Sequence, residues 1–320
     1  MKPIILVTVL PKQIGIIRSF KMIKKLTALV SVLFCCATAS QQMLAQKTAP
    51  AADNKALLFE ISGHGLTKPS YIYGTFHILC PTDIMPTEKF TPYIDRTDQM
   101  IMEIDMDDPA EMGAMAKGAA INDGRTIKDV LSAEQYAKVD EMFKNTIGSS
   151  IEPLKMLKPA ILGVVVLTSP KMLGCSPLAS YEMNFVKLAA EKKKPIIGLE
   201  TVAFQSKVLD SKPLEKQANS LVEISKDPQK AADGLKKLIL VYKEQDVDKL
   251  RSTALEESKT DPEFNKAIID DRNAEWIPKI EALIKEKSSF IAVGGGHLGG
   301  EPGVIRLLRS RGYTVKPIKL

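Results

Sequence analysis

Residues 70–77 read SYIYGTFH, a β-type run that breaks at Gly74 and delivers a histidine, His77, three residues later. The stretch has an echo near the other end of the chain. There, residues 288–297, SSFIAVGGGH, again set a glycine, Gly294, three residues ahead of a histidine, His297, at the close of an apolar run. The chain has three histidines, and two of them stand in this same context. A strand that closes on glycine can turn sharply and approach a ligand closely, so the next polar side chain is aimed into a crevice at the strand's carboxyl end. Either motif alone is short and reads most simply as an ordinary strand end; the pair points to a shared site. For that to hold, strands from the two ends of the chain must be neighbours in one sheet, with the residues between them as covering helices.

Other strand-like runs fit this frame. Leu57–Ser62 and Tyr71–Phe76 flank a turn region with Gly63, Gly65 and Pro69, which predicts a hairpin. His64 falls in that turn and reads as an exposed loop residue. Residues 98–106, DQMIMEIDM, alternate so that Ile101, Glu103 and Asp105 share one face. A carboxylate in so apolar a strand is costly unless a cation, metal or donor meets it, which singles out Glu103; the alternative is an edge strand with one solvated face. Residues 195–200, PIIGLE, form a short run with Glu200 at its tip.

Between these runs helical periodicity dominates. Ser132 is a helix N-cap ahead of apolar residues at helical spacing to Lys144, and Pro159–Thr168 is apolar nearly all round, which predicts a buried helix. Ser176 and Pro177 read as a further helix start carrying Tyr181 and Glu182 in its first turns. The region from Thr201 to Lys287 is helical with breaks near Pro213, Pro228 and Pro262, and holds Arg272, Asn273 and the single tryptophan, Trp276. Arg272 is either a surface ion-pair residue or the buried cation that Glu103 or a substrate oxyanion needs. Gly303–Arg311 and Tyr313–Ile318 close the chain in a βαβ-like finish. The fold class is therefore α/β, with α+β character: a single domain with a mixed central sheet, covering helices and a large helical portion.

The chain of 320 residues carries a formal charge of +6. Lys2, Lys12, Arg18, Lys21, Lys24 and Lys25 all precede Asp53, the first acidic residue, so the remainder is near neutral and nucleic-acid binding through a basic patch loses its support. From Met22, two lysines precede an apolar run from Leu26 to Ala37 and then small residues, the order of a secretory signal peptide. The expected organisation is a leader over 1–45 starting in effect at Met22, a tether over 46–56 and a domain over 57–320. Export to the periplasm or beyond follows, with no integral span after leader removal and no lipid anchor at Cys35 or Cys36. The remaining two cysteines, Cys80 and Cys175, make an even pair, expected to form a disulfide in an exported protein. No G-K-[ST] ending, H-E-x-x-H or G-x-S-x-G motif is present, which removes support for nucleotide, zincin or serine-hydrolase chemistry.

YIYGTFH, the MEID strand, SYE at Ser180–Glu182, GLET around Glu200, RN at Arg272 and Asn273, and GGGHLGGEPGVIRLLRSRGYTV, in this order, resemble the TraB/GumN family, whose relatives include the Tiki metalloproteases and, more distantly, erythromycin esterase and ChaN-like proteins. The resemblance implies that His77, Glu103 and His297 face one cleft and hold a divalent metal, with Mn²⁺, Co²⁺, Fe²⁺ and Zn²⁺ all suited to two imidazoles and a carboxylate. The implied function is metal-dependent hydrolysis of a peptide or protein substrate, with Glu200 or Glu182 as general base and Arg272, beside Asn273, on the oxyanion. A non-enzymatic haem or metal carrier and a metal-free esterase-like hydrolase are the competing expectations.

Overall fold

The two G-x-x-H stretches do lie side by side. In a computed structural model, which describes residues 54–258 and 261–320, β2 (Ser70–Thr75) and β5 (Ser289–Gly294) pair in parallel, with Tyr71 opposite Phe290 and Thr75 opposite Gly294. They are the centre of a six-stranded sheet ordered β4-β3-β5-β2-β1-β6, where β1 is Leu58–Ser62, β3 Gln99–Met102, β4 Ile196–Gly198 and β6 Thr314–Ile318. The hairpin is present as the antiparallel pair β1–β2, and β6 runs antiparallel to β1. Every strand except β1 therefore points the same way. The leader, the start of the tether and Cys35 and Cys36 lie outside the described residues.

Every residue of β2, β3 and β5 is buried, as parallel strands with both faces covered require. β3 is paired on both sides, by β4 and β5, so the edge-strand alternative for Glu103 does not apply. It also ends at Met102, earlier than its alternation predicts, and Glu103 follows the strand rather than standing within it. The finish after β5 differs from a simple βαβ unit. The helix Val304–Ser310 leads to β6, which is parallel to β5 but separated from it by β2 and β1, at the sheet edge.

The helices divide between two cores. One surrounds the sheet and includes Phe185, Trp276, Ile280 and Leu308. The other is helical, built from Ile127, Phe143, Leu162, Val166 and Leu221. Ser132 caps the helix Ala133–Ile147 with a reciprocal bond from Gln135, as its sequence predicts. Pro213, Pro228 and Pro262 mark helix starts, and a further break at Gln245, with φ +57°, separates Pro228–Lys243 from Val247–Glu257. Ser176–Pro177 does not start a helix: that peptide bond is cis, and the helix begins at Tyr181, where Ser180 caps the backbone N–H of Met183. Backbone bonds between Leu79 and Ala179 hold the preceding segment extended. Asp53–Leu320 forms one compact unit. No helix among the described residues is long and apolar enough to cross a membrane.

Candidate active site

Because β2, β3, β4 and β5 are parallel, their carboxyl ends lie along one edge of the sheet, where open α/β sheets place their ligands. His77 follows β2, Glu103 follows β3, Glu200 follows β4 and His297 follows β5, so the four side chains singled out at strand ends share that edge. Two glycines make the approach possible. A Cβ on Gly74 would lie 2.8 Å from Leu298 Cδ1 and 2.9 Å from the Gly295 Cα, so the turn carrying His297 packs directly on β2 only because Gly74 has none. A Cβ on Gly294 would stand 3.3 Å from Glu103 Oε1, 3.4 Å from His77 Nε2 and 3.5 Å from His297 Cδ2. The two histidines and Glu103 thus surround one small space beside Gly294.

Each histidine is held from behind. His77 Nδ1 lies 2.9 Å from Glu182 Oε1, and that carboxylate also accepts from Thr75 Oγ1 at 2.6 Å and Ser180 Oγ at 2.8 Å. His297 Nδ1 lies 2.6 Å from Asn273 Oδ1, while Asn273 Nδ2 donates to the carbonyls of His297 and Pro302 at 3.1 and 2.8 Å. With the acceptors on the Nδ1 side, each ring donates from there; Nε2 of His77 faces the space beside Gly294, and Nε2 of His297 lies 3.9 Å from Glu103 Oε1. This is the arrangement in which histidines serve as metal ligands, with an acceptor fixing tautomer and ring orientation.

Arg272 resolves its two alternatives in favour of a buried cation. It donates from Nε and NH2 to Glu200, from NH2 to Glu103 Oε2 at 2.6 Å, and from NH1 to the Ile268 carbonyl at 2.8 Å. Its NH1 is also 3.2 Å from His297 Nε2, and its guanidinium lies over the Trp276 ring. The residues Lys266–Asp271 just before it form a π-helical turn, a local feature frequent at functional sites, which leads into the helix Arg272–Glu286. The other oxygen of Glu103 accepts from the Gly294 N–H at 2.8 Å, and Gln205 Nε2 reaches Oε2 at 3.3 Å. Glu200 accepts from Trp276 Nε1 at 2.9 Å as well as from Arg272, so its oxygens hold the guanidinium and indole in place.

The surroundings set distinct protonation states. Burial pushes His297 down to about 3, the neighbouring positive charge of Arg272 acts the same way, and the charge of Glu103 does not reverse it. For His77, burial also pulls downward, but the hydrogen bond and charge of Glu182 raise it to about 9. The His77 side chain is 63% exposed to the cavity it lines, so water tempers that rise without changing its direction. Burial opposes ionisation of Glu103, yet the charges of His297, Arg272 and His77 and the Gly294 N–H bring it to about 2. His297 is neutral above about 3, which leaves Arg272 and His77 as the cations that act on Glu103 near neutral pH.

The site opens into a cavity of about 620 Å³ whose walls include Thr75, His77, Glu103, Arg272 and Gly294–His297 at one end. Cys80 and Cys175 form a disulfide, which with the Leu79–Ala179 bonds ties the His77 loop to the segment that bears Glu182. His64 is in the turn, packed on Tyr313 and remote from these contacts. Three of the residues expected to take part in the chemistry are held by specific partners. Asn273 is fully buried and orients His297, Glu200 is a counter-ion to Arg272, and Glu182 orients His77. The sequence reading missed Thr75, Ser180 and Gln205. Thr75 and Ser180 lie inside motifs it had quoted, whereas nothing in the sequence around Gln205 marks it.

A mostly parallel α/β sheet with two anchored histidines, carboxylates and a buried arginine at its carboxyl edge defines an α/β protein with a polar site at the strand ends. The family model of the TraB/PrgY/gumN family matches residues 57–317, and the chain belongs to that family. No curated protein and no solved structure matches it.

Proposed function

We propose that the protein is an exported metal-dependent hydrolase acting on an amide bond, with His77, Glu103 and His297 holding the ion. The observation that carries this reading is that both histidines are anchored at Nδ1 while His77 Nε2 faces Gly294 beside Glu103 Oε1 and His297 Nε2 lies 3.9 Å from that same oxygen. Glu103 and Glu200 share the Arg272 guanidinium, and Glu182 is paired with His77, so the carboxylates of the site stand close to both of its cationic groups. Among the described residues no three His, Cys, Asp or Glu side chains already stand as a closed ligand set. Arg272 lies against both His297 and Glu103, so loading requires its NH1 to yield His297 Nε2. A divalent ion held there would supply a nucleophilic water at neutral pH and would polarise the scissile carbonyl. Glu182 and Asn273 keep the two rings in the ligating tautomer, the Gly294 N–H aims Glu103, and Arg272 is placed to meet negative charge developing on a carbonyl oxygen. The disulfide and the signal-like leader support export.

A second reading, metal-free hydrolysis by the His77–Glu182 pair, draws on their hydrogen bond; with His77 raised to about 9, the ring must lose a proton in either reading, to act as a base here or to bind the ion above. The test is metal content and cleavage of a peptide and N-acyl amide library by wild type, His77→Ala, Glu103→Ala and His297→Ala, with His64→Ala as control and circular dichroism for folding. The three site variants should lose most bound metal and nearly all cleavage, and His64→Ala neither. Full metal occupancy in both histidine variants sinks the metal site, turnover that survives chelation selects the second reading, and a Soret band without cleavage selects haem carriage.

A further inference from the structure

The helix Pro159–Leu167 is apolar on every side, and its sequence predicts full burial. Only part of it is buried: Leu162 and Val166 enter the helical core, whereas Ile161, Val164 and Leu167 line the cavity, and Val164 is 46% exposed. Leu209, Leu235 and Leu238 add to the same aliphatic wall. A contiguous apolar surface of this kind, left open to water beside a polar site, marks a place where an apolar ligand sits. Its volume of about 620 Å³ is that of a site for a whole drug-sized molecule, well beyond one side chain.

The distribution of polar groups decides which apolar ligand. Glu103, Arg272, His77 and Gln205 gather around the site, where Gln205 is bonded to Glu103. Elsewhere on the wall the polar side chains are Ser206 and Thr168, and Thr168 already donates to the Val164 carbonyl. The strands that reach the cavity, β2 and β5, are paired on both sides, so no free strand edge offers a backbone ladder. An extended hydrophobic peptide would bury an N–H and a carbonyl at every residue without partners, at a cost of about 1–3 kcal/mol for each group. An alkyl chain carries no such groups.

We propose that the cavity binds an aliphatic acyl chain, and that the substrate is an N-acylated amine or peptide whose N-acyl amide lies at the His77 and Glu103 end. The hydrolytic step rests on the metal-dependent hydrolase reading; the binding of the chain does not. In that step water adds its oxygen to the amide carbonyl carbon, the C–N bond breaks, and the water protons go to the amine, giving a carboxylate and an ammonium with no other reactant.

Calorimetric titration of the chelator-treated full chain with N-acetyl-, N-hexanoyl- and N-decanoylglycinamide, and with acetyl-trileucine amide, reads the binding. Affinity should tighten up to about fourfold for each added methylene. Val164→Glu should weaken decanoyl binding at least about tenfold, a loss of roughly two methylenes by that scale. Leu240→Glu, at a position 64% exposed and outside the cavity wall, should leave it unchanged. Affinity flat with chain length, or trileucine amide bound as tightly as the decanoyl compound, overturns the proposal. With metal restored, release of decanoate is followed by mass spectrometry. Graded binding with no acid released removes the hydrolase reading and leaves the acyl-chain site standing; cleavage of short peptides with no decanoyl binding does the reverse.

Discussion

Nδ1 of His77 lies 2.9 Å from Oε1 of Glu182, a residue 105 positions further along the chain. The contact exists because the disulfide and the Leu79–Ala179 bonds bring the start of the helix Tyr181–Glu191 beneath the end of β2. Glu182→Gln keeps the shape of the partner and removes its charge. The His77 pKa should fall from about 9 toward its ordinary 6.5, read by NMR titration of the imidazole. Metal affinity should drop about 10- to 100-fold, as for other losses of a ligand's supporting carboxylate. An unchanged His77 titration would show that Glu182 does not set its charge.

Gly294 tests the site from the opposite direction, by filling it. Its φ of −53° and ψ of 134° suit alanine, so Gly294→Ala should fold and melt close to wild type. Its new Cβ would stand within 3.5 Å of Glu103, His77 and His297. Bound metal and turnover should therefore fall together while the circular dichroism spectrum is retained. Full metal loading of this variant would place any ion elsewhere.

Arg272 is 5% exposed and joins Glu103, Glu200 and the Ile268 carbonyl. Arg272→Lys preserves charge but loses the planar fork, so it cannot satisfy both carboxylates. Stability should fall by about 1–3 kcal/mol, the scale for leaving a buried partner without its hydrogen bond, and turnover should fall more than metal content. Urea denaturation with metal analysis on the same sample measures both. A stability change within about 0.5 kcal/mol, typical of surface substitutions, would show the network to be unimportant for folding.

The sequence made the strand ends legible because a glycine followed by a polar residue after an apolar run has a local physical cause. The prolines at 213, 228 and 262 marked helix starts for the same reason. What escaped depended on distant partners. Glu200 looks like a free carboxylate at a strand tip until Arg272, 72 positions away, is seen to bind it. Glu103 could be separated from an edge residue only by knowing that β4 and β5 flank β3. The helix Pro159–Leu167 reads as buried because hydrophobicity records that a side chain avoids water, not whether protein or a cavity meets it.

The disulfide closes a segment of 95 residues. Cross-linking so long a loop restricts the unfolded chain, so Cys80→Ser with Cys175→Ser should lower stability by about 2–5 kcal/mol. Reduction of the wild type should lower its urea midpoint in the same direction. A midpoint indifferent to reductant would mean that the bridge adds nothing to stability.

Asp140 gives the clearest pH dependence away from the site. Lys144 at 2.6 Å and the Ser150 hydroxyl at 2.6 Å bond its carboxylate, which also accepts from the Ile151 N–H at 2.9 Å. Those two side-chain bonds lead the shift to about 2, below the ordinary 3.8, and slight burial opposes them. Since the folded value is the lower one, the unfolded chain takes up the proton first as pH falls. The stabilisation is thus complete above about pH 4, shrinks as pH drops toward 2 and is absent below that. One pKa unit is worth about 1.4 kcal/mol, and discounting for the partly exposed Lys144 contact leaves about 1–2 kcal/mol. Asp140→Asn retains an acceptor for Ser150 and Ile151 but not the charge. Urea midpoints of the two proteins should differ by a constant amount from pH 5 to 7 and converge by about pH 2; a gap that persists at low pH would assign the loss to packing instead.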